Sequence, residues 1–142
     1  IGAGGMNADT LRQNIRRCGL TGRVTAMQLD ALRPPLQRLG DFDCIVSNPP
    51  YICEHEREDM EENVLRYEPS QALFVPDHDP LLFYRAIGEY AVKTLKEGGQ
   101  LYVEINRAYG RETTRLFQSL GLRDITLKKD FYDNERMIRC RK

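Results

Sequence analysis

The closing stretch of the chain restricts its fold more than any other part. Residues 124–129 and 137–140 both read as short strands, and the few residues between them turn at Asp133-Asn134, so the two must pair as an antiparallel hairpin. Everything upstream alternates. Helical patterns are interleaved with apolar runs of strand length, an order that builds an α/β fold around a mostly parallel sheet with helices on both faces. A parallel sheet that ends in an antiparallel hairpin leaves few architectures open.

The spacing predicts a helix from Ala8 to Cys18, with Asn7 as its N-cap, Leu11, Ile15 and Cys18 as its apolar positions and a stop at Gly19. Residues 24–29 are strand-like and end at Asp30, after which Pro34-Pro35 enforces a loop. Phe42–Ser47 is the next strand, halted by Asn48-Pro49-Pro50, and both runs have the continuous apolar character of fully buried parallel strands. Between Ile52 and Pro76 the signals mix. A charged helical piece around Glu56 to Leu65 is followed by Tyr67-Glu68-Pro69 and an extended Ala72-Leu73-Phe74-Val75. Asp79-Pro80 then opens a helix as N-cap and first helical residue. Its apolar face is Leu82, Phe83, Ala86, Ile87, Tyr90, Ala91 and Leu95, its end Gly98-Gly99. Residues 101–105 follow as a strand, and residues 111–120 as a helix closed by Gly121. Tyr84 and Tyr90 fall on the core side of their helix. Ile1-Gly2-Ala3-Gly4-Gly5 reads as a linker, an expression remnant or the stub of a glycine loop, and residues 6–142 as one domain.

The size and charge of the chain remove several functions. At 142 residues with 41% hydrophobic side chains, one sizeable core can form without disulfides or metals. Twenty-one Lys and Arg balance twenty-one Asp and Glu, which argues against a protein held mainly by nonspecific attraction to phosphate. Cys18, Cys44, Cys53 and Cys140 form no Cys-x-x-Cys pair, and with only His55 and His78 beside them the ligand set for a metal is poor. No apolar run is long enough for a membrane span and no signal segment opens the chain, so a reduced, cytoplasmic setting without membrane contact is expected.

Asn48-Pro49-Pro50-Tyr51 stands directly after a buried strand, at the end where open α/β sheets place their ligands. Two prolines fix two backbone torsions and remove two amide donors, leaving carbonyl oxygens as acceptors aimed in a set direction. The Asn48 side-chain oxygen and the Pro49 carbonyl can together accept both hydrogens of a substrate NH2. An amide or aromatic amine is a poor nucleophile because its lone pair is delocalised. Two acceptors on its hydrogens return density to nitrogen and orient the lone pair at an electrophile. Tyr51 adds an aromatic face for a planar group or a nearby cation. The bland alternative is a rigid turn after a strand.

The tetrapeptide resembles the catalytic motif of S-adenosylmethionine-dependent amino methyltransferases. Asn48-Pro49-Pro50-Tyr51-Ile52, Glu68-Pro69, Ala72-Leu73, Leu82-Phe83-Tyr84-Arg85, Gly98-Gly99 before a strand bearing Glu104, and the closing Asp130-Phe131-Tyr132-Asp133-Asn134-Glu135-Arg136 are together similar to the release factor glutamine methyltransferases. The likeness runs from about Asn7 to the C-terminus. It implies a Rossmann-like class I methyltransferase domain, S-adenosyl-L-methionine as cofactor, and methylation of the glutamine side-chain nitrogen in the Gly-Gly-Gln motif of peptide chain release factors. By the same resemblance Asn48 binds cofactor and substrate, Pro49, Pro50 and Tyr51 complete the substrate grip, and Asp30 with Ala31 lines the adenine side. The family's upstream strand with its glycine-rich loop, and the second strand ending in an acidic ribose ligand, are not found in that order before Asn7, so the N-terminal strands of the sheet are expected to be missing and the domain partial. Two other readings stay open: a DNA or RNA amino methyltransferase using the same Asn-Pro-Pro-Tyr chemistry, and a noncatalytic partner-binding module.

The remaining polar candidates have plainer readings. Methyl transfer from a sulfonium needs no strong base before attack, so His55 is expected to be a surface-loop residue and His78 to face solvent. Glu68 either meets the substrate loop or shapes a turn, and Glu104 either holds backbone amides or meets substrate. Lys128, Lys129, Arg136, Arg139, Arg141 and Lys142 on the closing hairpin read first as charged gatekeepers of a sheet edge, and second as a contact for RNA or an acidic partner.

Overall fold

The structure, a computed structural model, describes residues 8–34, 41–59 and 73–142. The readings made for residues 1–5, for Asn7 and Pro35, for residues 60–65 of the charged helical piece, for Tyr67-Glu68-Pro69 and for Ala72 fall outside these residues. Helix α1 (Ala8–Arg17) buries Ile15 and stops before Gly19 as the sequence predicts, but the other two expected apolar positions, Leu11 and Cys18, are exposed. Strand β1 (Phe42–Ser47) leads into a short parallel pair, β2 (Ile52–Cys53) and β3 (Phe74–Val75), with a 3-10 turn at Glu54–Asp59 after β2. Helix α2 (Leu82–Thr94), β4 (Leu95–Glu104), a 3-10 turn at Arg107–Tyr109, α3 (Gly110–Ser119), β5 (Arg123–Lys129) and β6 (Glu135–Arg141) complete the order.

Four strands make one sheet in the order β1-β4-β6-β5. β1 and β4 pair in parallel, and β6 lies antiparallel between β4 and β5. The crossover through α3 therefore places β5 parallel to β4 but one position away, and the closing hairpin returns β6 into the gap. This is the mostly parallel sheet with an antiparallel hairpin that the C-terminal spacing requires. Ile45, Leu101, Val103, Ile138 and Cys140 point from the sheet to Tyr84, Ile87, Ala91 and Leu95 of the α2 region and to Phe117 and Leu122 of the α3 region. The α3 helix closes where expected. Gly121 takes φ +90°, and the Leu122 amide donates to the Phe117 carbonyl at 3.0 Å while the Gly121 amide donates to that of Gln118, so both orphan carbonyls are met and Leu122 drops into the core.

Several expectations need correction. Residues 24–29 form no strand: Val24, Met27 and Leu29 are exposed, and an apolar run with strand propensity acquires strand structure only where a neighbour offers a ladder. The strands are also not buried on both faces. Ile45 and Ser47 point inward while Cys44 and Val46 point out, Val46 being 66% exposed. Among the described residues α2 and α3 both cover the same side. The α2 helix, thirdly, starts without a side-chain cap. Asp79 instead receives the Arg85 guanidinium through two bonds of 2.9 and 3.1 Å, and this pairing holds its carboxyl below the usual carboxylate range.

Gly98 and Gly99 do not end α2, which stops when Leu95 turns extended. They lie where β4 bends into the sheet. Register jumps there from Phe42 opposite Leu95 to Cys44 opposite Gln100. A Cβ on buried Gly99 would sit 2.9 Å from the Lys96 carbonyl oxygen and 3.1 Å from that of Phe42. Both neighbours are backbone, so neither can swing away. Gly99→Ala is expected to lower unfolding free energy by about 1–3 kcal/mol, the range for overpacked sites, read as a lower urea midpoint at unchanged slope. A midpoint at or above that of the parent would show that the bend has room.

Candidate active site

Buried Ser47 ends β1 opposite Val103 of β4. The chain then leaves the sheet with the Asn48 side chain exposed and Pro49 and Pro50 buried. Asn48 is exposed, and among the described residues nothing hydrogen-bonds its amide, which carries two donors and an acceptor. The prolines anchor the segment by packing because they have no amide to tether. The tetrapeptide thus stands at the carboxyl end of the sheet, beside the end of β4.

Tyr51 is held at both ends. Its phenol donates to Glu104 Oε1 at 2.7 Å, and its backbone carbonyl accepts from Asn106 Nδ2 at 3.0 Å. Burial, then the bond and charge of Glu104, push the phenol up to about 12 against the opposing pull of Arg136. It stays protonated across the physiological range and serves as a donor. Among the described residues the Glu104 carboxylate holds no backbone amide; it accepts the Tyr51 phenol and fixes it. Arg136 is placed in turn by Asp130 at 3.5 Å, and the other Asp130 oxygen accepts from the amides of Tyr132 and Asn134 at 2.8 and 3.0 Å. The turn of the closing hairpin and the motif segment are in this way parts of one polar cluster.

Asp30 closes its own turn, accepting the Leu32 amide at 2.9 Å through its side chain and the Arg33 amide at 3.1 Å through its carbonyl. It is exposed, and Ala31 is half-buried. His55 is exposed and paired with Asp77 at 2.7 Å, and His78 is exposed. The sequence counts too few metal ligands, yet the fold brings Cys53, His55 and Asp77 within 4.8 Å of one another. Their chemistry is already occupied. His55 and Asp77 satisfy each other, while burial raises the Cys53 thiol, which donates to the Tyr109 hydroxyl at 3.5 Å. On the closing hairpin Lys129, on the outer strand β5, meets Asp133 at 2.9 Å, whereas Arg136, Arg139 and Arg141 stand on β6 between β4 and β5 and so do not guard a sheet edge; Arg141 meets Asp124 at 3.8 Å.

No protein-family profile matches the chain. Individual relatives do. The release factor glutamine methyltransferase of Flavobacterium psychrophilum is 52% identical over 99 residues, covering 70% of this chain and 35% of that protein. Its counterpart in Bacteroides thetaiotaomicron is 48% identical over 119 residues, 84% of this chain and 43% of the relative, and that of Clostridium botulinum is 34% identical over 134 residues, 94% and 47%. The chain belongs to the release factor glutamine methyltransferase family. It spans between about a third and a half of the length of these relatives. Among solved structures, TrmN from Thermus thermophilus superposes with a TM-score of 0.57 at 16% identity, over 94% of this chain and 32% of that one. An O-methyltransferase family protein from Burkholderia thailandensis gives 0.55 at 13%, over 94% and 40%. These two likenesses establish a class I methyltransferase fold. Among the described residues no helix is long and apolar enough to cross a membrane.

In this member of the glutamine methyltransferase family the residues around the motif were harder to read than the motif itself. No local pattern in the sequence links Asn106, Glu56, Tyr109 or the bonding of Arg136 to the motif. The one available signal for Asn106 was its place just past a strand end, on the edge of the sheet where ligands are bound.

Proposed function

We propose that residues 6–142 carry the substrate-gripping part of a methyltransferase domain that transfers a methyl group from S-adenosyl-L-methionine to the glutamine side-chain nitrogen of the Gly-Gly-Gln motif in peptide chain release factors, in the cytoplasm. The observation that carries this reading is the exposed amide of Asn48 at the end of β1, without a hydrogen bond among the described residues, beside two buried prolines and a Tyr51 pinned by Glu104. A planar NH2 group needs two acceptors whose directions are set before it arrives. Asn48 and the carbonyl of Pro49 supply them on a segment whose φ angles are locked at its prolines.

When bound, the cofactor supplies a methyl group on a positively charged sulfur. Asn48 fits beside it because a neutral amide offers donors and an acceptor without a competing charge, and Asp30 and Ala31 would line the adenine side. Asn48 and the Pro49 carbonyl would hold the substrate NH2 with its lone pair directed at that methyl, and the proton the nitrogen sheds would pass to water. The phenol of Tyr51, pushed up to about 12, does not act as a base here. It keeps its proton and its bond to Glu104, holding the segment still.

The direct test is mass analysis of a release factor after incubation with cofactor and a form of the protein extended upstream to the length of its relatives. One added methyl on the Gly-Gly-Gln glutamine is expected; an unmodified glutamine with bound cofactor would overturn the reading. The family resemblance assigns much of the cofactor grip to a glycine-rich loop and an acidic ribose ligand. Calorimetric titration is therefore expected to show the 142-residue chain binding S-adenosylmethionine at least about 10-fold more weakly than the extended form, a difference near 1.4 kcal/mol. Equal affinities would show that the residues present here suffice.

A further inference from the structure

We infer that Asn106 is a positioning residue for methyl transfer, setting the Asn-Pro-Pro-Tyr segment from behind; this rests on the function proposed above. Asn106 is 4% exposed, and its polar atoms are matched one by one. Nδ2 donates to the Tyr51 carbonyl at 3.0 Å and to Glu56 Oε2 at 2.8 Å, while Oδ1 accepts the Ala108 amide at 2.9 Å. Its backbone amide donates to the Tyr84 hydroxyl at 3.0 Å, tying the site to the core face of α2. Glu56 Oε2 also accepts the Cys53 amide at 2.8 Å. One side chain thus clamps the end of the motif and the turn that follows it.

The clamp reaches the reacting end because the intervening backbone is stiff. β1 fixes Ser47 through the sheet, Glu104 and Asn106 fix Tyr51, and between these anchors Pro49 and Pro50 have locked φ angles. A shift at the Tyr51 carbonyl therefore moves the Pro49 carbonyl and Asn48 rather than being absorbed. Such shifts are costly. A misplacement of about 1 Å can slow a reaction by roughly 10²-fold.

Asn106→Asp separates positioning from support. It retains the acceptor that caps Ala108 but turns an oxygen toward the Tyr51 carbonyl and the Glu56 carboxylate, where two donors stood. In the upstream-extended protein, Asn106→Asp and Asn106→Ala are both expected to lower kcat for methyl transfer to a release factor by about 10-fold or more, with KM for the cofactor within about twofold. As pH falls, the carboxyl introduced at position 106 can take up a proton that restores one donor. The Asn106→Asp deficit relative to the parent should therefore shrink, and the Asn106→Ala deficit should not. Hydrogen exchange on the 142-residue chain gives an activity-independent readout: the Cys53 amide should exchange faster in both variants, with the Leu101 and Ile138 amides unchanged. Parent-like kcat in both variants, or unchanged exchange at Cys53, would overturn the positioning role. A parent that binds cofactor but methylates no release factor would instead overturn the function on which this role rests.

Discussion

Replacing Asn48 by Ala in the upstream-extended protein is expected to slow single-turnover methyl transfer by about 10²-fold or more, the scale on which a preorganised polar group is lost, while affinity for S-adenosylmethionine falls far less. The asymmetry follows from where the amide sits. Asn48 is exposed at the end of β1 and unbonded among the described residues, so its removal leaves no buried partner unsatisfied and should not cost stability. What disappears is one of two acceptors aimed at the substrate NH2. Asn48→Asp tests the same position differently. It keeps acceptors but loses both donors and places a negative charge beside the cofactor's sulfonium, favouring the charged ground state over a transition state in which that charge is dispersing. It should therefore be slow despite its shape. Single-turnover rates near that of the parent in Asn48→Ala would remove Asn48 from the mechanism.

What could be read from the sequence was what depends on neighbours along the chain. The strand Phe42–Ser47 and its arrest at Asn48-Pro49-Pro50, the apolar stripe that puts Tyr90, Ile87 and Ala91 into the core, the closure of α3 at Gly121 and the final antiparallel pair all rest on local pattern and short connections. Residues 24–29 misled because strand propensity does not reveal whether a ladder partner exists. Asp79-Pro80 misled for a related reason: an aspartate before a helix can cap it or can meet a guanidinium further along, and Arg85 offered the stronger bond. At the site the tetrapeptide was visible and its supports were not. Asn106 lies 55 residues from Tyr51 and 50 from Glu56, and no spacing rule links positions joined only by the return of β4 alongside β1.

The remaining prediction concerns which NH2 group is accepted. Changing the glutamine of a release factor's Gly-Gly-Gln motif is expected to abolish methylation altogether, and DNA and RNA are expected to accept none. Two acceptors cannot by themselves distinguish a glutamine amide from an adenine amino group, since both are planar NH2 groups. The surroundings must. The turn after the motif carries Glu54, Glu56 and Glu58 against Arg57, and in the sequence Asp59, Glu61 and Glu62 extend that acidic run. The basic side chains of the hairpin beside the site are met locally, Arg136 by Asp130 and Lys129 by Asp133. A phosphate backbone would be repelled by this acidic segment, most strongly at low salt, whereas a glycine-rich or basic protein loop would not.

Radiolabelled methyl transfer by the upstream-extended protein measures this directly, with a release factor, its glutamine-substituted variant, duplex DNA and RNA offered in parallel at low and moderate salt. Label on the unaltered release factor alone is the expected result. Label on DNA or RNA with an unlabelled release factor would contradict it and establish the Asn-Pro-Pro-Tyr site as that of a nucleic-acid amino methyltransferase.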